Sequence, residues 1–166
     1  IISDKGTVIG FGGRVINPDD TPKYYNSPET PLFQKSYELY GLIYARKPIR
    51  EKGFVLVVEG YMDVVGLAQH NFRNAVATLG TATTIYHIKK LLRYAEEIVF
   101  CFDGDNAGQT AAWRAMMNSI SAISDNARLK FLFLPKNHDP DSFIRENSKE
   151  AFDLLVSEAL PLTEYV

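Results

Sequence analysis

Residues 54–63 read FVLVVEGYMD. The first five are apolar and mostly β-branched, which is typical of a strand buried on both faces of a sheet. Glu59 and Gly60 end this run, and a helical pattern begins at Tyr61. A buried strand that leads directly into a helix is the first half of a βαβ unit. This stretch therefore predicts an α/β fold with a parallel sheet.

The same alternation continues along the rest of the chain. Further strands are predicted at Ala75–Ala77, Ile98–Phe102 and Lys130–Leu134, the last of them stopped by Pro135. Helices are predicted at Tyr61–His70, Ile85–Ala95, Ala107–Ile123, Asp141–Glu146 and Lys149–Ala159. Four strands with helices between them indicate a mainly parallel sheet flanked by helices, and such a sheet binds its ligand outside the carboxyl ends of the strands.

The first 53 residues have a different pattern, which predicts a smaller N-terminal α+β segment. Val8–Ile16 is interrupted by glycines and is typical of a strand or a bend. Asn17–Pro31 is rich in turn-forming residues and predicts a loop. A helix is predicted at Phe33–Arg46, ended by the Lys47-Pro48 step. We expect this segment to pack on the βα part.

Composition limits the class of protein. Hydrophobic residues make up 46% and charged residues 23%, as in ordinary globular proteins, and neither a bilayer-spanning run nor a secretory signal is visible. The single cysteine, Cys101, excludes an internal disulfide and a cysteine-rich zinc site. A reducing, cytoplasmic compartment is expected. Because the chain begins at Ile1 rather than at Met, we expect it to be part of a larger protein.

The charge is distributed unevenly. The net charge of the chain is -2, with a balance of +2 over residues 1–53 and -4 over residues 54–166. A mildly basic segment before an acidic one suits a phosphate-contacting surface beside a cation site. The difference is too small to decide the function by itself.

Acidic residues follow three of the four predicted strands. Glu59 comes directly after the first strand, Asp103 and Asp105 after the third, and Asp139 and Asp141 soon after the fourth. Since the carboxyl ends of parallel strands meet at one edge, these five carboxylates are predicted to converge. Like charges at short distance need neutralisation, and carboxylates with water are the ligands that Mg²⁺ or Mn²⁺ prefers.

Each carboxylate also has a structural interpretation. Asp103 and Asp105 can face one metal because residues i and i+2 of an extended chain point the same way. Asp105 or Asn106 could equally cap the helix that follows, and Asp141 could cap a later helix. Asp63 lies in the first turn of a helix, where the dipole favours a carboxylate in any case.

Two loops have similarly open interpretations. Leu79–Thr84 could present backbone N–H groups to a phosphate, or it could be an ordinary turn with a threonine cap. A set of basic and aromatic residues could contact a nucleic-acid strand or lie in a solvated loop: Arg14, Lys23, Tyr24, Tyr25 and Lys35.

Several motifs together resemble a known family. Glu59–Val65 and Asp103–Gly108 are similar to a Toprim domain, the module shared by bacterial primases, topoisomerases and some nucleases. Gly10–Arg14, Pro22–Thr30 and Asp139–Asp141 narrow the resemblance to the RNA polymerase catalytic core of bacterial DnaG-type primase. Five segments in this order are specific, and the resemblance covers essentially the whole chain.

The resemblance implies metal-dependent, template-directed synthesis of short RNA primers from ribonucleoside triphosphates on single-stranded DNA during chromosome replication. It implies a Mg²⁺ site, with Mn²⁺ as a substitute, made of Glu59, Asp103, Asp105, Asp139, Asp141 and, as a lesser member, Asp63. The catalytic residues among them are expected to be Glu59, Asp103 and Asp105. The nucleotide- and template-binding surface is expected to comprise Arg14, Lys23, Tyr24, Asn26, Ser27 and Lys35.

The resemblance also implies a division of the chain. Residues 1–53 would end the N-terminal subdomain of the polymerase core, residues 54–147 would form the Toprim domain, and residues 148–166 would begin a helical subdomain. Zinc is expected only in an upstream domain, and contact with the replicative helicase only through a C-terminal domain, both outside this chain. The fragment is expected to be weakly active or inactive alone, and the larger protein to act in the cytoplasm at the replication fork.

Three other functions compete with this hypothesis. A Toprim nuclease or topoisomerase fragment would share the acidic motifs, and Pro22–Thr30 favours primase over it. A phosphatase of the haloacid-dehalogenase type would carry Asp-x-Asp after the first strand, whereas here the pair follows the third. A non-enzymatic binding module would be expected to have lost carboxylates, and none is obviously lost.

Overall fold

A computed structural model of the chain describes residues 1–17, 19–120 and 126–165. Its strands are β1 (Gly12–Arg14), β2 (Tyr24–Asn26), β3 (Phe54–Val58), β4 (Ala75–Ala77), β5 (Glu97–Gly104), β6 (Arg128–Lys136) and β7 (Leu160–Pro161). Its helices are α1 (Leu42–Lys52), α2 (Tyr61–Gln69), α3 (Ile85–Leu91), α4 (Asn106–Ile120), α5 (Pro140–Glu146), α6 (Lys149–Ser157) and α7 (Leu162–Tyr165).

The main sheet has the strand order β4-β3-β5-β6-β7. The first four strands are parallel, and β7 pairs antiparallel to β6. This confirms the predicted mainly parallel α/β sheet. After β3 the chain forms β4 on one side, and it then crosses to form β5 on the other side. The carboxyl ends of β3 and β5 therefore flank a topological switch point, where sheets of this kind bind ligands.

Helices cover both faces of the sheet, and β3 shows why its sequence is apolar throughout. Val55 and Val57 belong to a core shared with α1, α3 and α4. Leu56 and Val58 belong to a second core, on the side of α2, α5 and α6. Because successive side chains of a strand point to opposite faces, burial on both sides requires an unbroken apolar run.

The N-terminal segment contains a small antiparallel sheet. β1 pairs with β2, with Gly12 opposite Asn26 and Arg14 opposite Tyr24. The prediction of an unstructured loop over Asn17–Pro31 is therefore wrong for Tyr24–Asn26. The strand has only three residues, and the turn-forming residues around it favoured a loop in the prediction. Pairing with β1 stabilises it.

The predicted helix at Phe33–Arg46 is confirmed only from Leu42 onward and is wrong for the residues before it. Tyr40 instead forms an isolated bridge with Ala77, with N–H···O distances of 2.8 and 3.2 Å, and this extends the edge of the main sheet. The left-handed Gly41 (φ 82°) separates that bridge from α1. Pro48 lies inside α1 rather than after it. It removes only the bond to the carbonyl of Tyr44, an exposed residue whose carbonyl can bond to water instead.

Several helices and strands begin or end at other residues than predicted. β6 continues through Pro135 to Lys136, because the register with β5 is irregular between Phe102 and Gly104 and a proline is tolerated there. The helix predicted to reach Ala95 ends as α3 at Leu91 and is followed by a turn. α4 begins one residue earlier than predicted, and predicted helical residues 121–123 lie outside the described residues.

The structure also bears on the predictions made for the single cysteine and for membrane-spanning segments. Cys101 is a free cysteine, buried in the core on the side of α2. In the described residues, no helix combines the length and the apolar character that crossing a membrane requires.

Candidate active site

Two carboxylates meet at the switch point of the sheet. Glu59 is the first residue after β3, and Asp103 is the second-last residue of β5. Because these strands are neighbours, the backbone N–H of Asp103 donates to Oε1 of Glu59 at 3.4 Å. Oδ1 of Asp103 is buried and has no hydrogen-bond partner among the described residues. A buried acceptor without a donor is unusual and indicates a place for a cation or another ligand.

A cavity of about 340 Å³ lies at this edge of the sheet. Its acidic lining residues are Glu59, Asp63, Asp103, Asp139 and Asp141. Three further lining residues carry basic or phenolic groups, namely Arg14, Lys23 and Tyr24. The structure thus brings together four of the five carboxylates predicted at the sheet edge, and it adds Asp63.

Asp105 is not among the residues that line this cavity. Its Oδ1 accepts a hydrogen bond of 2.7 Å from the backbone N–H of Gly108, in the first turn of α4. The capping interpretation, left open by the sequence, is therefore the arrangement that the structure contains. A carboxylate there also suits the positive end of the helix dipole.

Two carboxylates in the cavity also act as helix caps. Oδ1 of Asp139 accepts from the backbone N–H of Ser142 at 2.7 Å, so Asp139 rather than Asp141 caps α5. Asp141 pairs with Arg145 at 3.3 Å. Oδ2 of Asp63 accepts from the backbone N–H of Gly60 at 3.1 Å, at the start of α2. Backbone N–H groups thus hold Asp139 and Asp63 near the sheet edge, and a side-chain ion pair holds Asp141.

Burial, with repulsion from neighbouring carboxylates, raises the pKa of three carboxyl groups in the cavity, those of Glu59, Asp63 and Asp103. Burial raises the pKa of Asp103 to about 7, helped by the charges of Glu59, Asp63, Asp139 and Asp105. Burial, together with the charge of Asp139, also raises the pKa of Asp63 to about 7. Burial raises the pKa of Glu59, and the charge of Asp105 adds to this. The hydrogen bond from the N–H of Asp103 lowers it, but the net shift is upward. A cation in the cavity would relieve this repulsion.

The donor set fits a hard divalent cation that keeps part of its water shell. Within residues 1–17, 19–120 and 126–165, no three His, Cys, Asp or Glu side chains are arranged to enclose a metal. Mg²⁺ commonly binds through one or two carboxylates, several waters and substrate phosphates rather than in an all-protein cage. Glu59 and Asp103, with the unpartnered Oδ1, supply carboxylates of that kind.

The basic side of the cavity comes from the β1–β2 hairpin. Arg14 ends β1, and Lys23 precedes β2 with its Nζ 5.7 Å from the centre of the Tyr24 ring. The Tyr24 ring packs edge-on against Tyr61 of α2 at 4.9 Å. The hydroxyl of Tyr61 donates to the carbonyl of Gly13 at 2.5 Å. These contacts fix the hairpin against the first turn of α2 and keep its two cations in the lining of the acidic cavity.

The other three residues predicted for the binding surface do not line this cavity. Ser27 accepts a hydrogen bond from the backbone N–H of Phe11 at 2.8 Å. Asn26 donates to the carbonyl of Leu79 at 3.4 Å, and its buried Oδ1 lacks a partner in the described part of the chain. The backbone of Lys35 bonds to Glu29 and to His87. The bond of Asn26 to Leu79 attaches the hairpin to the loop after β4, whereas the bond of Ser27 to Phe11 lies within the hairpin.

A second cleft, of about 550 Å³, lies on the other side of Glu59, between the Leu79–Thr84 loop and α4. Its polar lining includes Glu59, Thr78, Thr81, Thr83, Thr110 and Arg114. The sequence singled out the loop, but it contained no signal for Arg114, which looks like any exposed arginine on a helix. A larger groove of about 830 Å³, between α1 and α2, contains none of the predicted site residues.

Comparison with protein families gives two matches. The Toprim-like family matches residues 56–144, more than half of the chain. The N-terminal domain of the DNA primase catalytic core matches residues 1–46. A DNA primase of Neisseria meningitidis is 55% identical over 99% of this chain. The chain spans 28% of the length of that relative.

Solved structures show the same arrangement. A DNA primase domain from Pseudomonas aeruginosa is 54% identical, with a TM-score of 0.94, over 99% of this chain and 51% of that one. A DnaG primase catalytic domain bound to single-stranded DNA is 48% identical, with a TM-score of 0.92, over 99% of this chain and 53% of that one. An Aquifex aeolicus primase structure contains zinc-binding and RNA polymerase domains. It is 39% identical, with a TM-score of 0.87, over 97% of this chain and 39% of that one.

The parallel sheet, the carboxylates at its switch point and the family match define the class of protein: the chain belongs to the Toprim-like family. Within that family, its resemblance to the catalytic core of bacterial DnaG-type primase is confirmed by high identity over 99% of its length.

Proposed function

We propose that the chain is part of the catalytic core of a DNA primase, which synthesises short RNA primers from ribonucleoside triphosphates on a single-stranded DNA template. The observation that carries this proposal is the cavity that five carboxylates share with Arg14 and Lys23. Such a cavity offers ligands for a metal cation together with cationic side chains that bind phosphate. That combination suits the transfer of a nucleotide from a triphosphate.

In the proposed reaction, the 3′-hydroxyl oxygen of the primer forms a bond to the α-phosphorus of the incoming nucleotide. The bond between the α-phosphorus and its bridging oxygen to the β-phosphate breaks, and the electron pair leaves with pyrophosphate. The hydroxyl proton passes to a base at the site. The protein mainly positions the reactants and stabilises charge.

Glu59 and Asp103 would be the main holders of Mg²⁺, with Asp63, Asp139 and Asp141 lining the same cavity and Mn²⁺ as a substitute. Bound divalent cations in such sites lower the pKa of the attacking hydroxyl and stabilise the leaving oxygen. Asp105 caps α4 and carries negative charge close to Glu59. Arg14 and Lys23 would bind triphosphate or template backbone, while Tyr24 holds the hairpin in place.

The larger protein would contribute further partners. In the Aquifex aeolicus primase structure, a zinc-binding domain is present as well as an RNA polymerase domain. By analogy, zinc would bind outside this chain, and the replicative helicase would bind another domain. The single-stranded DNA in one related structure supports single-stranded DNA as template here.

A primer-synthesis assay tests the proposal, with full-length protein carrying this chain, ribonucleotides, single-stranded DNA and Mg²⁺. We expect Asp103→Ala to lower synthesis at least about 100-fold while thermal unfolding shows an intact fold. Asp105→Asn keeps an oxygen acceptor for the N–H of Gly108 and removes the charge, so a large loss would assign Asp105 an electrostatic role. Near-normal synthesis by Asp103→Ala would refute the site.

A further inference from the structure

The cleft between the Leu79–Thr84 loop and α4 has more hydrogen-bond donors than its own residues use. The backbone N–H groups of residues 80–83 donate to no acceptor in the described parts of the chain. In the same parts, the hydroxyls of Thr78, Thr81 and Thr83 make no hydrogen bond. So many unused donors around one cleft indicate a ligand rich in acceptors.

The cleft has one charged residue of each sign, Glu59 and Arg114. Arg114 lines the wall formed by α4 and forms no ion pair with any residue that the structure describes. Glu59 lines this cleft and also the acidic cavity, so the two spaces meet at its side chain. A ligand in the cleft would therefore have one end beside the acidic cavity and the other near a guanidinium group.

The groups that line the cleft indicate which part of a nucleotide it could bind. Backbone N–H groups, hydroxyls and a guanidinium are the groups that hold phosphates. The cleft therefore offers the groups that bind the phosphates of a nucleotide.

We propose that this cleft binds the β- and γ-phosphates of the incoming ribonucleoside triphosphate, with Arg114 and the backbone of residues 80–83 as the binding groups. The proposal rests on the proposed function, because it takes the reacting α-phosphate to lie in the acidic cavity beyond Glu59. The same cleft then holds pyrophosphate before its release.

A binding experiment tests the cleft without requiring catalysis. The amide signals of the ¹⁵N-labelled chain are followed by NMR during titration with inorganic tripolyphosphate in the presence of Mg²⁺. We expect saturable shifts at residues 80–83, and an affinity about tenfold lower in Arg114→Gln, because a charged hydrogen-bond donor is lost. Arg93→Gln is the matched control, since Arg93 is exposed and absent from the cleft lining.

Two further titrations separate the possible ligands. Adenosine triphosphate should shift the same amides, while adenosine monophosphate, which lacks the β- and γ-phosphates, should leave them unshifted at equal concentration. Shifts confined to the surroundings of Arg14 and Lys23, or equal weakening by Arg93→Gln, would overturn the proposal. So would equal shifts with the monophosphate.

A kinetic measurement links the cleft to primer synthesis. In full-length protein, Arg114→Gln should raise the KM for ribonucleoside triphosphates about tenfold and leave the affinity for single-stranded DNA unchanged. An unchanged KM would contradict the role of Arg114. Absence of synthesis in the unmodified protein would instead refute the proposed function, and the NMR result would still decide whether the cleft binds polyphosphate.

Discussion

At the scale of single residues, the carboxylates of the site have structural partners as well as a proposed chemical role. Asp63, Asp105 and Asp139 each accept a hydrogen bond from a backbone N–H at the start of a helix. These bonds orient the side chains without any metal. Asp103 differs from them, because its buried Oδ1 lacks a hydrogen-bond partner in the described residues, and its pKa, like that of Asp63, is raised to about 7.

His87 leads to a prediction about pH. It is fully buried, its Nδ1 accepts from the N–H of Thr84 at 3.1 Å, and its Nε2 lies 2.9 Å from the carbonyl of Lys35. Burial lowers the pKa of His87 to about 4. The unfolded chain takes up this proton near the ordinary pKa of about 6.5, so the folded state loses stability as pH falls from there toward 4.

The expected loss from His87 is up to about 3 kcal/mol of unfolding free energy. Urea unfolding between pH 4 and 7 measures it. The carboxylates of the site contribute in both proteins, so the difference between the unmodified chain and His87→Gln isolates the histidine. His87→Gln should be less sensitive to acid, and an identical pH profile in the two proteins would contradict the prediction.

At the scale of elements, the start of α4 determines how closely the helix approaches β5. A Cβ added at Gly108 would lie 2.3 Å from the carbonyl oxygen of Asp103, well inside van der Waals contact. Glycine is therefore required where α4 crosses the end of β5. Because α4 lies so close, the Gly108 N–H donates to Oδ1 of Asp105. The same packing lets α4 and Glu59 line one cleft.

We expect Gly108→Ala to destabilise the protein by roughly 2 kcal/mol, although alanine favours helices by about 1 kcal/mol over glycine. The overlap with backbone atoms outweighs that preference and displaces either Asp103 or α4. Thermal unfolding measures the effect, and primer synthesis should fall with it. Gly13→Ala is the control, because nothing lies within 4 Å of its added Cβ. Equal stability of the two variants would contradict this account.

At the scale of the whole molecule, the small net charge of -2 conceals local concentrations of both signs of charge. Arg14 and Lys23 line the same cavity as five carboxylates. Such an arrangement binds phosphates locally without a basic protein overall. The affinity for nucleic acid should therefore depend on a few identifiable cations.

Binding of single-stranded DNA should weaken with salt, and Lys23→Gln should reduce the slope of log affinity against log salt by about 1. Fluorescence anisotropy at several salt concentrations measures this slope. Lys47→Gln is the control, because Lys47 is exposed on α1 and pairs with Glu51 at 3.8 Å. If the two variants had the same slope as the unmodified protein, the hairpin would not contact the template backbone.

The sequence by itself determined the parts of this protein that depend on local patterns. The unbroken apolar run of Phe54–Val58 identifies a strand buried on both faces, and the position of Glu59 and Asp103 at the carboxyl ends of neighbouring apolar runs places them at one sheet edge. The same local patterns misplaced the helix before Pro48 and overlooked β2, because three-residue strands have little signal of their own.

Only the tertiary structure decided which side chains share a cavity. Asp63 enters it and Asp105 turns to cap α4, although the sequence ranks them the other way. Arg114 and Thr81 line the same cleft, although they belong to segments that are distant in the sequence. The physical reason is that spacing along the chain specifies the direction of a side chain only within one element. The packing of elements decides which side chains meet.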